Sequence, residues 1–169
     1  MAEEGKKNPP ALEVAAPELH EVVKEARQAL QEISAAITVR DLKKLEGRLM
    51  DNGRLFSFKS VSPERLEKGL QVEVQILAKL DLNAEPRDLQ FERTSEYQVE
   101  LSADQEHIEK TEKRNIESII WTIPDSAELV KEFLPHPRYG ENSTFDRGGN
   151  LKIIMKKING TWTWNPFGW

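Results

Sequence analysis

Leu19, Val22, Val23, Ala26, Leu30, Ile33 and Ile37 recur at three- and four-residue spacing, with Glu, Lys, Arg and Gln filling most positions between them. That period puts one apolar stripe on a helix, and Pro17 followed by Glu18 and Glu21 suits its first turn. Thr38 with Asp41 three residues on resembles a capping box. It predicts a second helix from Val39 to about Met50, buried through Leu42, Leu45 and Leu49 and ended by Asp51-Asn52-Gly53. Leu55 to Phe58 is a short strand candidate. Ser62-Pro63-Glu64 then supplies the N-cap and first turn of a brief helix through Lys68.

From Leu70 the spacing changes to two. Leu70, Val72, Val74, Ile76, Ala78, Leu80 and Leu82 alternate with mostly polar residues, and only Leu77 breaks the pattern. This predicts one long, half-buried strand. After a loop containing Pro86, alternation returns with Leu89, Phe91, Tyr97, Val99 and Leu101, so 70–82 and 89–101 are expected to pair as a long antiparallel hairpin. Arg93 and Ser95 fall on the otherwise apolar side of its second strand. Either a bulge rotates them outward, or they line a polar spot inside a concave face.

Ser102 to Asn115 is charged and without period, which suggests a solvated connection or fraying strand ends. Ile116 to Ile123 predicts a central strand with Ile119, Trp121 and Ile123 on one face and Ile116 and Ile120 on the other. Asp125-Ser126-Ala127-Glu128 resembles another capping box, opening a short helix to about Leu134. A long loop follows to Gly149. Beyond it, Asn159-Gly160 is the pair that a two-residue type I′ turn wants, since both central residues need positive φ. That turn sets Ile158 opposite Thr161, Lys157 opposite Trp162, Lys156 opposite Thr163 and Met155 opposite Trp164. One face then carries Leu151, Ile153, Met155, Trp162 and Trp164, with Lys157 at the rim over Trp162; Lys152, Lys156, Thr161 and Thr163 lie on the other.

Composition narrows the function classes. The 169 residues suit one domain over 17–169 behind a flexible tail at 1–16. With 29 acidic and 24 basic residues the net charge is -5, so no global basic field exists to hold nucleic acid. The chain has no cysteine, which removes disulfides, thiolate metal sites and cysteine nucleophiles together. No apolar run is long enough to span a bilayer. The opening MAEEGKKNPP lacks the apolar core of a signal peptide. The expectation is therefore a protein of the cytoplasm, or a periplasmic or secreted one whose signal was removed, the polar opening then serving as a tether.

The order helix, helix, strand, short helix, long hairpin, strand, hairpin resembles the nuclear-transport-factor-2-like superfamily. Thr38 to Leu45, TVRDLKKL, looks like that superfamily's turn into its second helix, and Asn159-Gly160-Thr161-Trp162 looks like its final hairpin. The resemblance implies an α+β fold, cystatin-like, in which N-terminal helices pack on a strongly bent antiparallel sheet shaped like a cone. It also implies a range of roles, from isomerases and dehydratases to ligand-binding and dimerisation modules.

Within that range the expected role is noncatalytic: binding of a small apolar ligand or a protein partner in or beside the cone, with a homodimer formed through the sheet. The alternatives are an isomerase- or dehydratase-type enzyme with a pocket around Arg93 and Tyr97, and an envelope-associated interaction protein. The candidate ligand-binding residues are Arg93, Tyr97, Trp121 and Trp164. No catalytic base stands out, because His20, His107 and His136 lie at solvated positions away from apolar strand faces. Those histidines have no metal-ligand spacing, and neither a metal nor a cofactor is expected. Phe167 and Trp169, beyond the strand-ending Pro166, either fold back to close the cone or anchor a partner.

Overall fold

In the computed structural model, residues 16–51, 54–55, 58–134 and 143–167 are described. Helix α1 spans Ala16–Thr38 and one turn of helix, α2, spans Leu42–Leu45. Two short strands, β1 (Met50–Asp51) and β2 (Arg54–Leu55), form a small antiparallel pair. After a 3-10 turn at Phe58–Ser60 comes α3, Pro63–Lys79. The remainder is an antiparallel meander, β3 (Arg87–Leu101), β4 (Ile108–Thr122), β5 (Lys152–Ile158) and β6 (Thr161–Trp164), with a one-turn helix α4 at Ala127–Val130 between β4 and β5. The class is α+β. The tail expected at 1–16 lies outside the described residues except for Ala16, which opens α1.

The stripe on α1 is the one its spacing predicts: Val22, Val23, Ala26, Leu30, Ile33 and Ile37 are all buried. They share a core with Leu66, Leu70, Ile76 and Leu77 of α3 and with Phe91, Ile119, Trp121, Leu151, Ile153, Met155, Trp162 and Trp164 of the sheet. The helices therefore cover one sheet face. The terminal hairpin adopts the predicted register, Met155 to Trp164 through Ile158 to Thr161, with Asn159 at φ 48° and Gly160 at φ 88°. Lys157 Nζ sits 5.8 Å from the centre of the Trp162 ring.

Four expectations need correction. The segment Leu70–Leu82 is not a strand: α3 begins at the Ser62 N-cap, whose hydroxyl accepts the Arg65 N–H, and continues to Lys79. Leu66, Leu70, Glu73, Leu77 and Leu80 step by four, three, four and three along its buried side. A helical stripe hid inside the alternation because Leu70, Ile76 and Leu80 fit both periods. The partner of β3 is consequently β4, whose first half is the charged stretch expected to be a connection. At the end of α1, Thr38 donates its hydroxyl to the Ser34 carbonyl and does not cap. Arg40 breaks the helix at φ 59°, and Asp41 caps the single turn that follows. Finally, Ser126 makes no capping bond of its own; Asn150 Oδ1 accepts the N–H groups of Ser126 and Ala127, each at 3.0 Å. The Ser126 hydroxyl instead ties the Ile123 carbonyl to the Leu151 N–H. Of the strand expected over Leu55 to Phe58, Leu55 belongs to β2 and Phe58 to the 3-10 turn, while 56–57 lie outside the described residues.

Candidate functional site

Along β3 the core-facing side passes through Phe91, Arg93, Ser95, Tyr97, Val99 and Leu101, opposite Ile119, Glu117, Asn115, Lys113, Thr111 and Ile108 of β4. The register is unbroken from Gln90 to Glu100, so no bulge turns Arg93 and Ser95 outward. Phe91 and Ile119 are buried, and there the core stops. Arg93 marks the boundary: its guanidinium lies 5.2 Å from the centre of the Phe91 ring and pairs with Glu18 at the start of α1 and with Glu117 across the ladder. These carboxylates, Glu18 first and Glu117 second, raise its pKa further above an already high value, so it stays charged.

Beyond Arg93 the two strands run on as an arm, Ser95–Leu101 against Ile108–Asn115, for about 23 Å at ~3.3 Å per residue. One face of this arm is open and carries its apolar side chains on β3 and at the tip, facing Asn115, Lys113 and Thr111 of β4. Tyr97 is 67% exposed, Val99 50%, Leu101 46% and Ile108 57%. On the other face Glu96 pairs with Arg114 at 3.6 Å, and Glu100 stands opposite Lys110. The tip is a turn in which the buried Ser102 hydroxyl bonds to the Asp104 carboxylate, lowering its pKa together with the Glu106 N–H. The root is pinned by the terminal hairpin: Asn159 Oδ1 accepts the Asn115 N–H, and the Asn159 N–H donates to the Asn115 carbonyl, both at 3.0 Å.

The other residues expected to bind a ligand lie elsewhere. Trp121 and Trp164 are 1% and 0% exposed, inside the core, and so are not brought together with the exposed Tyr97 on an open site. The Trp164 indole N–H meets no hydrogen-bond partner among the described residues, so what this side chain contributes is packing. Phe167 is also inside, edge-on to Trp164 with ring centres 5.1 Å apart. Its N–H donates to the carboxylate of Glu73, a buried acid on α3. Trp169 lies outside the described residues. Sequence reasoning missed Glu73, because strict alternation assigned it to a solvent face.

A cleft of about 340 Å³ opens between α1 and the β5–β6 turn, lined by Glu25, Gln28, Glu32, Arg48 and Trp162 among others. Arg48 Nε donates to the Trp162 carbonyl and Trp162 Nε1 to Glu25. Hydrogen bonds from Lys157 first, then from Trp162, hold the Glu25 carboxyl below the usual carboxylate range. The volume would hold a small molecule, but the charged and amide lining is unlike the apolar walls of most ligand pockets. No cluster of three or more potential metal ligands occurs among the described residues. No described helix is long and apolar enough to cross a membrane. The chain matches no family model, no curated protein and no solved structure.

Proposed function

We propose that this chain is a noncatalytic α+β domain that binds a protein partner, with the open face of the β3–β4 arm as its recognition surface. The observation that carries the reading is the run of Tyr97, Val99 and Leu101 with Ile108, exposed on one face beyond the end of the core. Contiguous exposed apolar side chains with a polar rim are what protein interfaces use, and tyrosine is prominent among hot-spot residues. The cone-like curvature and the kinship with the nuclear-transport-factor-2-like superfamily belong to the same proposal. Their support is the placement of N-terminal helices on one face of an antiparallel sheet. Against a catalytic pocket around Arg93 and Tyr97 stand the guanidinium's two carboxylate partners and the exposure of the phenol.

The test compares the wild-type chain with one carrying Tyr97→Ser, Val99→Ser and Leu101→Ser, each immobilised and used to retain polypeptides from the source cell. A polypeptide held by the first and lost by the second, at matching melting temperature, is the expected result. Retention of the same polypeptides by both chains would remove the arm as the recognition surface.

A further inference from the structure

The sheet has two edges, and they differ. At β6 the edge is closed: Leu49 bridges to Trp164, the Trp164 N–H donates to the Arg48 carbonyl, and the Arg48 side chain takes the Trp162 carbonyl. At β3 the order of strands ends, and from Gln90 to Glu100 the strand is paired, among the described residues, on its β4 side alone. Alternate backbone N–H and C=O groups of an edge strand point away from its neighbour. Natural edges are protected against further pairing by proline, by charged side chains, lysine above all, by inward-pointing charges, by bulges or by a covering element. Between Gln90 and Glu100 there is no proline, no lysine and no break in register, although register shifts flank the stretch at Arg87/Gln90 and Glu100/Leu101. Its one inward charge, Arg93, is engaged by Glu18 and Glu117, which leaves the glutamates as the charges along the rim.

The two faces flanking this rim differ in chemistry. The core-side face offers Tyr97, Val99 and Leu101. The opposite face carries Glu92, Glu96 and Glu100 at four-residue intervals, about 13 Å apart at ~3.3 Å per residue; Glu96 has Arg114 and Glu100 has Lys110 on the β4 side, whereas Glu92 stands opposite Ser118. We infer that the free rim of β3 accepts an extended peptide segment of alternating basic and apolar residues, added to the sheet as a further strand. Main-chain hydrogen bonds hold such a segment, its apolar side chains extend the Tyr97 face, and its lysines or arginines lie beside the glutamates. A second copy of this chain fits badly. When two β3 strands pair with their apolar faces matched, three glutamates from each copy crowd one face, and like charges there are repulsive.

This inference rests on the partner-binding reading above and adds the mode of binding and the partner's chemistry. The probe is a short peptide alternating lysine with valine, compared with one alternating glutamate with valine, and the readout is amide hydrogen exchange of the full chain. At a concentration about ten times its dissociation constant, the lysine peptide should slow exchange of amides within 90–100 by about tenfold. The glutamate peptide should have no effect on the wild-type chain and should protect a Glu96→Lys, Glu100→Lys chain, which the lysine peptide should not. That reversal separates lost charge complementarity from lost folding. Equal protection by both peptides, protection by neither, or protection confined to other strands would overturn the inference. So would a dimer formed through β3 without peptide, seen by light scattering. If retention of a partner still depends on Tyr97, Val99 and Leu101 while neither peptide protects β3, strand addition fails and the partner-binding reading stands. If retention is independent of those side chains, that reading fails first.

Discussion

In the β5–β6 hairpin the inward side chains Met155, Trp162 and Trp164 end in the core, and the outer edge of β6 is sealed by Arg48 and Leu49. In the outer half of the β3–β4 hairpin the same kind of ladder continues with, among the described residues, no inward side chain buried and no strand beyond the β3 edge. Burial specifies the register of the first, because a slip of one residue would turn two tryptophans out into water. The second holds its register through cross-strand pairing and through the anchor at its root. The difference shows that backbone pairing sustains a strand well past the point where hydrophobic burial stops.

The largest expected contrast comes from truncating one aromatic side chain in each hairpin. Trp164→Ala should cost about 3–5 kcal/mol in denaturant unfolding, since it empties a buried volume against Met155 and Phe167. A loss below about 1 kcal/mol would show that this hairpin is not core-held. Val99→Ser and Leu101→Ser should each cost only about 0.2–1 kcal/mol, the scale of a cross-strand pair, with changes in amide exchange confined to 94–115. Global destabilisation by either would mean that the arm is part of the folding core.

The smallest effect is electrostatic and belongs to the body. Glu25 has a lowered pKa in the folded chain, so its contribution is present above the unfolded carboxylate value of about 4.3 and is lost as pH falls through the folded value. Glu25→Gln should therefore be destabilised by a few tenths of a kcal/mol near pH 7, as exposed pairs usually are, and should match the wild type once the carboxylate is protonated. A difference that persists unchanged to low pH would assign the effect to packing at Trp162 and not to charge.

Much of the body was legible in the sequence, and the arm only in part. The α1 stripe and the Asn159-Gly160 turn gave unambiguous local signals, because a helical period over seven apolar positions and a positive-φ dipeptide each admit few alternatives. The α3 segment admitted two, since Val72 and Val74 favour a strand and fill the even positions, while the decisive member of the helical stripe is a glutamate. That Glu73 is buried follows from its acceptance of the Phe167 N–H, a contact between residues 94 apart in sequence. No local pattern could show it. The first half of β4 was illegible for a different reason: Glu109 to Asn115 carries no apolar period because it buries nothing. Its strand conformation comes from its neighbour, and the apolar residues of β3 beyond Arg93 matched a core pattern without entering the core.

The two hydrogen bonds between Asn115 and Asn159 have a mechanical consequence. The arm is a lever about 23 Å long, at ~3.3 Å per residue, and its fulcrum is the turn of a different hairpin. Those two bonds tie the root of the lever to the Asn159-Gly160 turn, and β4 itself runs on from Ile116 in register with β5, so the arm is joined to the body both along its own strand and through the second hairpin.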